Sequence, residues 1–229
     1  MNGGRLIFIL VISLFLILNV NAHQPRLVFD NSSSAQTPFP VYNPEVSQAF
    51  YGELKGNPDY YSIDSNSTFQ LYLGILSPVI SNTTINFSAE VYFNNNLIYS
   101  LNGNDFNWSV FYEEFGGDNY FKGPEFDRQV IAGSYLVKVS GKDNQGKYVL
   151  AVGKKEKFPL GEMIHTVVSL PKLKKDFFGK SVLTSYFNIL GFFMLVFVII
   201  FLAILLVVVL IIGKLKESLQ KNKCSSNRN

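Results

Sequence analysis

Apolar residues follow distinct patterns along this chain, and the longest is an unbroken apolar run at residues 189–212. A helix over this run would be apolar on every face and would reach about 36 Å at ~1.5 Å per residue. That length crosses a hydrocarbon core of about 30 Å, and a helix satisfies its own backbone in lipid. The run therefore predicts one transmembrane α-helix, assigned to residues 187–213.

Between residues 49 and 153 the pattern changes to short runs with alternating apolar side chains. Phe69, Leu71, Leu73 and Ile75 repeat at the period of two that is typical of a β-strand. Clusters of Gly, Asn, Asp and Pro separate the runs. Eight strands are predicted, at residues 49–54, 60–63, 69–76, 85–93, 97–101, 128–131, 134–140 and 147–152. With no helix between them, they indicate an all-β fold, an antiparallel, jelly-roll-like β-sandwich over residues 49–153.

A second apolar stretch, residues 6–18, follows Arg5 and precedes the small residue Ala22. This order is typical of a cleaved signal peptide, residues 1–22, with an uncleaved membrane anchor as the alternative. Residues 214–229 carry five basic residues and one acidic residue, a balance typical of a cytoplasmic tail. The chain is therefore predicted to be a single-pass, type I protein of the cell membrane with its N-terminal domain extracytoplasmic.

Two segments of different character flank the predicted sandwich. Residues 23–48 are rich in Pro, Ser and Asn and are expected to form an extended lead-in. Residues 154–186 are expected to form a basic juxtamembrane stalk, with a helix that Pro159 starts and Pro171 ends. Lysines mixed with aromatics beside a transmembrane helix favour the lipid headgroup region, although a solvated spacer is the alternative. The predicted membrane-interface residues are Lys172, Lys174, Lys175, Phe177, Phe178, Lys214 and Lys216.

Charge and cysteine content narrow the setting of the exported part. Residues 23–150 hold 7 basic and 13 acidic residues, whereas residues 151–186 hold 7 basic and 3 acidic residues. The acidic body argues against nucleic acid as a partner. The one cysteine, Cys224, falls in the predicted tail, so the exported domain is expected to fold without a disulfide. Candidate glycosylation sequons occur at Asn31, Asn66, Asn82, Asn86 and Asn107.

Three stretches of sequence resemble a known family: GELKGNPDYYSIDSNSTFQLYLGI, AEVYFNNNLIYSL and AGSYLVKVSGKDNQGKYVLAVG. Together, over residues 50–153, they resemble the bacterial pre-peptidase C-terminal domain. The family's three strand signatures correspond to Asp59, Tyr60 and Tyr61, to Gly133, Ser134 and Tyr135, and to Tyr148, Leu150 and Val152. The resemblance implies a jelly-roll-like β-sandwich of the kind that is secreted as an appendage of proteases. The connector at residues 102–127 is longer than that of the family.

This connector is the richest source of candidate chemistry, since it holds eight aromatic and six acidic residues. Insertions on a rigid sandwich are where binding residues tend to lie. Aromatic rings can stack on a sugar or peptide, and clustered carboxylates can hold Ca²⁺. The alternative is that the aromatics cap an open end of the sandwich and the acids form its solvated rim. The candidate ligand-binding residues are Trp108, Tyr112, Tyr120, Glu113, Glu114 and Asp118.

No catalytic residue is predicted. The chain lacks the Gly-x-Ser-x-Gly, His-Glu-x-x-His and phosphate-loop patterns. A carboxylate pair such as Glu113 and Glu125 could act as acid and base, but the sequence does not give the distance between them. Cleavage after Ala22 would make His23 an N-terminal copper ligand, but His165 is the one other histidine and falls in the predicted stalk. No metal or other cofactor is predicted.

The predicted function is a membrane-anchored binding or structural module at the cell surface, without catalytic activity. Its expected partners are the lipid bilayer and a protein or glycan ligand, or a membrane protein contacted through the transmembrane helix. One alternative is an accessory subunit of a membrane protein complex. Another, from a different class, is a surface hydrolase or a copper-binding protein that uses His23.

Overall fold

The structure is a computed structural model that describes residues 23–81, 83–157 and 159–226. The predicted signal peptide lies outside these residues. The chain divides into two compact units, one that runs to Ser185 and one that begins at Tyr186. The described strands all belong to the first unit, and a long helix makes up most of the second.

The strands of the first unit form two sheets. In chain order they are β1 (Gln24–Leu27), β2 (Phe39–Val41), β3 (Gln48–Lys55), β4 (Asp59–Ser65), β5 (Phe69–Pro78), β6 (Ser88–Phe93), β7 (Asn96–Leu101), β8 (Ser109–Glu113), β9 (Asp118–Val130), β10 (Gly133–Ser140) and β11 (Gln145–Val152). One sheet has the order β1-β3-β11-β5-β9-β8, and the other has the order β2-β4-β10-β6-β7. Neighbours are antiparallel except for β1 with β3 and β2 with β4, which are parallel. The fold is therefore a β-sandwich of two mixed sheets.

The inner faces of the two sheets share one apolar core. In β5, Leu71, Leu73 and Ile75 are fully buried because side chains two residues apart point to the same face. Tyr148 packs directly on the backbone of Gly52, where a Cβ atom would lie 2.4 Å from the tyrosine ring. The core contains Val41, Phe50, Leu54, Tyr61, Ile63, Phe69, Leu71, Leu73, Ile75, Phe87, Ala89, Val91, Leu101, Phe126, Tyr135, Val137, Val139, Tyr148, Leu150 and Val152.

The predicted all-β sandwich is confirmed, with differences at its edges. Each of the eight predicted strands overlaps an observed strand. The prediction of a separate lead-in at residues 23–48 is wrong, because this segment contributes β1 and β2 as parallel edge strands. Edge positions tolerate Pro25 and Pro40, since an outward-facing N–H group is not needed there. The connector at residues 102–127 forms β8 and most of β9.

The segment after β11 packs on the sandwich instead of forming a free stalk. It consists of helix α1 (Leu160–Lys172), a π-helical turn (Leu173–Phe177) and a 3-10 turn (Val182–Tyr186). Pro159 precedes α1 as predicted, but Pro171 lies inside the helix and does not end it. The helical path continues through the π-helical turn and buries Leu173 and Phe177. Tertiary packing therefore outweighs the backbone hydrogen bond that the proline removes.

The second unit contains helix α2 (Ile189–Ser226). Within it, Met194–Lys216 is long and apolar enough to cross a membrane. Tyr186 and Phe187 are exposed just before the helix, where interfacial aromatics commonly occur. This helix is compatible with the predicted single-pass protein. The helix also continues through Ser226, into the predicted tail, and its orientation across the membrane stays a prediction.

Candidate functional site

The connector folds into a β8–β9 hairpin at the edge of the six-stranded sheet. Glu113 closes its turn, because the carboxylate accepts hydrogen bonds from the backbone N–H groups of Phe115 (2.8 Å) and Gly116 (2.7 Å). Gly117 follows with a φ of 72°, a left-handed conformation that favours glycine. Burial raises the pKa of the Glu113 carboxyl. Glu113 therefore shapes the turn, whereas Glu114 beside it is exposed.

Trp108 lies against the core and not on a free loop. Its indole N–H donates to the carbonyl oxygen of Gly103 at 2.8 Å, and its ring packs on the buried apolar residues. Two glycines make room for it. A Cβ atom at Gly123 would come within 2.5 Å of the ring, and one at Gly103 would lie 3.0 Å from it. This packing supports the alternative in which Trp108 caps the core.

Asp118 is buried beneath the segment that follows β11. It accepts hydrogen bonds from Nζ of Lys174 and from Nζ of Lys180, the latter at 2.7 Å. Nζ of Lys174 also donates to the carbonyl oxygen of Gly116 at 2.6 Å. Lys174 is 1% exposed, and burial lowers its pKa while the Asp118 carboxylate opposes this change. This predicted binding carboxylate is thus one half of a buried ion pair.

Aromatic rings surround this ion pair on the outer face of the six-stranded sheet. The hydroxyl oxygens of Tyr51 and Tyr120 are 3.3 Å apart. The ring of Phe177 lies 5.2 Å from that of Tyr51, and the ring of Phe178 lies 5.7 Å from that of Tyr120. We call the group the outer-face cluster, and its members are Phe29, Tyr51, Asp118, Tyr120, Leu173, Lys174, Phe177 and Phe178.

The outer-face cluster corrects part of the predicted membrane interface. Lys174, Phe177 and Phe178 are buried against the sandwich, so the prediction that they contact lipid headgroups is wrong. Lys172 and Lys175 are exposed, and their membrane contact stays a prediction. The same holds for Lys214 and Lys216, which lie at the end of the apolar part of α2.

Strand β8 is the part of the connector that stays open to solvent. It forms the edge of its sheet, with β9 as its one neighbour among the described strands. Val110 is 67% exposed and Tyr112 is 54% exposed, and Phe106 and Phe111 are also exposed. We call these four residues the β8 edge surface. An open edge strand presents unpaired backbone groups to another chain.

The six predicted ligand-binding residues therefore separate into different environments. Tyr112 and Glu114 are exposed at β8 and its turn, whereas Asp118 and Tyr120 are buried in the outer-face cluster. Phe106, Val110 and Phe111 complete the exposed surface but were not singled out from the sequence. Alternating apolar and polar residues would have identified β8 from the sequence, but β8 is exposed on both faces and its residues do not alternate.

Carboxylates and histidines are dispersed through the fold. Glu113 lies at the turn before β9, and Glu125 lies seven residues beyond the start of β9. The separation is roughly 23 Å in an extended strand, too far for a glycosidase-like pair. Nδ1 of His23 lies 2.5 Å from Oγ of Ser47, and His165 lies on α1. Within the described ranges, no group of three or more His, Cys, Asp or Glu side chains is placed to hold a metal ion.

A cavity of about 560 Å³ opens between β1, β2 and the start of α1. Arg26 lies along its wall and donates to both carboxylate oxygens of Glu162, at 2.9 and 3.1 Å. It also donates to Oε1 of Gln24 at 2.6 Å. These contacts join α1 to β1, so the main charges of the cavity wall have a structural role.

A buried hydroxyl cluster in the core was not predicted as a unit. The Tyr148 hydroxyl donates to Oδ2 of Asp59 at 2.7 Å and lies 2.7 Å from the Tyr61 hydroxyl. Ser33 donates to Oδ1 of the same carboxylate at 2.9 Å. Burial raises the pKa of Asp59. Three of these residues occur in the strand signatures of the family resemblance, which was the one available signal.

The predicted glycosylation sequons differ in exposure. Asn31, Asn66 and Asn107 are exposed, and Asn86 is half-buried with a φ of 85°. Asn82 lies outside the described residues. Glycosylation at the exposed positions is sterically open and stays a prediction.

Comparison with known proteins finds similarity among solved structures. No protein-family model matches the chain, and no curated protein matches its sequence. Among solved structures, it is similar to the pre-peptidase C-terminal domain of a collagenase from Bacillus anthracis, with 14% identity and a TM-score of 0.32, covering 58% of this chain and 97% of that domain. It is also similar to CBM35 from Cellvibrio japonicus Abf62, with 15% identity and a TM-score of 0.26, covering 44% and 68%. The resemblance predicted from the sequence is confirmed, and it concerns the fold alone.

Proposed function

We propose that this chain is a single-pass membrane protein whose exported β-sandwich serves as a non-catalytic binding module. The observation that carries the proposal is the β8 edge surface, an open edge strand with exposed aromatic and aliphatic side chains. Exposed apolar edges invite association, and proteins usually cover or charge them unless they are used. The apolar helix at Met194–Lys216 supports anchoring of the module in a membrane.

The β8 edge surface fits an extended polypeptide. A polypeptide can pair with the free edge of β8 through main-chain hydrogen bonds, as in strand addition. Alternate residues point to opposite faces, so that Val110 and Tyr112 would contact one side of the added strand and Phe111 the other. A glycan is the second candidate ligand, because the exposed rings of Phe106 and Tyr112 can pack on a sugar.

The arrangement of polar groups supports a binding role over catalysis. Glu113 is engaged by backbone N–H groups, Asp118 by two lysines, and Glu125 by the Tyr72 hydroxyl at 2.5 Å. Each of these carboxylates therefore stabilises local structure. A general acid or base needs access to a substrate proton, which these contacts restrict.

A matched pair of variants tests where binding resides. Phe111→Lys places a charge on the β8 edge surface, whereas Leu97→Lys makes the same change at an exposed position on β7, the edge of the other sheet. The tagged full-length chain is purified in mild detergent from the cells that express it, and co-purified proteins and glycans are quantified. We expect Phe111→Lys to remove a stoichiometric ligand that wild type and Leu97→Lys retain.

Retention of the ligand by both lysine variants would locate binding elsewhere, and persistence of a membrane protein partner would favour the accessory-subunit alternative.

Topology is checked separately by adding protease to intact cells. The sandwich should be digested while a tag after residue 229 is spared. Protection of the sandwich would contradict its export.

A further inference from the structure

Helix α1 buries one face against the sandwich and exposes a second, apolar face. Thr166 and Leu170 face the fold and are buried. A second set repeats at i, i+3, i+4, i+7 and i+8, the spacing of one helix face. Leu160 is 72% exposed, Ile164 is 57% exposed and Val168 is 71% exposed. We call the second set the α1 stripe, and it consists of Leu160, Met163, Ile164, Val167 and Val168.

The composition of the α1 stripe fits lipid better than a protein partner. All of its members are aliphatic or Met, whereas the residues that dominate protein interfaces are Trp, Tyr and Arg. Exposed lysines lie near both ends, Lys157 before the helix and Lys175 after it. An interfacial helix typically buries an apolar face in the headgroup boundary while lysines extend toward the polar layer.

A short stretch of sequence joins the unit that contains α1 to the apolar part of α2. The compact unit that contains α1 ends at Ser185, and the apolar part of α2 begins at Met194. Of the eight residues between them, 186–193, the last five belong to α2, and the first three reach about 11 Å when fully extended. The buried Lys174–Asp118 ion pair holds the segment that follows α1 on the sheet.

We propose that the α1 stripe inserts into the headgroup region of the bilayer that α2 spans and thereby docks the sandwich on the membrane surface. The proposal rests on the proposed function, since it requires α2 to be a membrane span. The partner is the lipid surface itself. This docking would explain why the fold leaves the apolar face of α1 exposed.

Site-directed labelling of the full-length chain tests this docking. Cys224→Ser removes the native thiol, and Met163→Cys or Val168→Cys then places an environment-sensitive fluorophore on the stripe. Leu97→Cys, at an exposed position on β7, is the matched control. The labelled proteins are reconstituted in phosphatidylcholine vesicles, and quenching is measured with doxyl-labelled lipid and with aqueous iodide. We expect the ratio of lipid to iodide quenching to be severalfold higher on the stripe than at position 97.

Two results would overturn the proposal. Iodide quenching of the stripe equal to that at position 97 would place the stripe in water. Protection from both quenchers would show that a second copy of the chain covers it. Unchanged melting temperatures confirm that each variant is folded. Alkaline extraction of the vesicles separates the docking proposal from the membrane span. If the chain stays in the vesicles while iodide reaches the stripe, docking alone is wrong. If alkali extracts the chain, the membrane span is wrong.

Discussion

The two faces of the six-stranded sheet are covered in different ways. The inner face packs on the other sheet through side chains that alternate along regular strands, with one hydroxyl cluster around Asp59. The outer face is covered by the π-helical turn, where Phe177 packs on Tyr51, and by Phe178 directly after it, which packs on Tyr120. It also contains the ion pair between Lys174 and Asp118, residues that are 56 positions apart in sequence.

The two faces differ in how their packing is specified, one mainly by apolar burial and the other by apolar burial together with a buried ion pair. Apolar burial is non-directional and stabilises both faces in proportion to the area removed from water. A buried ion pair adds little net stability, because desolvation offsets the attraction, but either partner alone is costly. The inner face is therefore specified by strand pattern. Our hypothesis is that the outer face depends on Lys174 to hold the segment that follows β11 in one position.

The largest expected effect comes from breaking the outer-face ion pair. Lys174→Ala leaves the buried Asp118 carboxylate with Lys180 as its remaining lysine partner. We expect the free energy of unfolding to fall by about 3–5 kcal/mol, as for other buried charges that lose a partner. Urea unfolding of the full-length chain in detergent, followed by Trp108 fluorescence, measures this loss. Lys175→Ala, at an exposed neighbouring position, should change it by less than about 0.5 kcal/mol.

A double variant sharpens the same comparison. Lys174→Met combined with Asp118→Leu replaces the pair with apolar side chains, and we expect it to be more stable than Lys174→Ala. If Lys174→Ala costs less than about 1 kcal/mol, Lys180 alone satisfies Asp118 and the hypothesis that Lys174 holds the segment is wrong.

The next effect concerns the rim of the inner core. Trp108→Ala removes the ring that packs over Gly123 and the hydrogen bond to Gly103. We expect a loss of about 3 kcal/mol in the free energy of unfolding, measured by circular dichroism during thermal or urea unfolding. Trp108→Phe keeps most of the packing and should cost about 1 kcal/mol through the lost hydrogen bond. Normal stability of Trp108→Ala together with lost ligand binding would instead restore the recognition-loop interpretation.

The smallest effect is a pH dependence from the hydroxyl cluster. Because burial raises the pKa of Asp59, the folded protein holds this proton more tightly than the unfolded chain. The stabilisation is complete below about pH 4, the unfolded pKa, and is lost as the pH rises through the raised folded pKa. Asp59→Asn has no such titration. Its stability relative to wild type should therefore rise between pH 4 and neutral pH.

A pH series of urea unfolding measures this difference. Tyr148→Phe is the companion variant, because it removes a hydrogen bond that favours the ionised carboxylate. It should make the loss of stability with rising pH steeper than in wild type. Parallel pH profiles for wild type and Asp59→Asn would show that Asp59 does not contribute to the pH dependence.

The sequence by itself determined the features that depend on local periodicity. The apolar run at residues 189–212 predicts the apolar part of α2, which is long and apolar enough to cross a membrane. Alternation in β10 identifies a strand with one buried face. Alternation in β5 also identifies a strand, but the structure buries β5 on both faces. The strand signatures around Asp59 and Tyr148 also indicated the sandwich, since these residues meet in its core.

Only the tertiary structure decided which surfaces those elements share. Lys174 and Phe177 have a composition typical of a membrane interface, but a carboxylate and two tyrosines on distant strands bury them. Trp108 has the composition of a recognition anchor, yet two glycines form the space that receives it. Periodicity reports how many faces of an element are apolar, and the partner that covers each face is set by contacts between residues far apart in sequence.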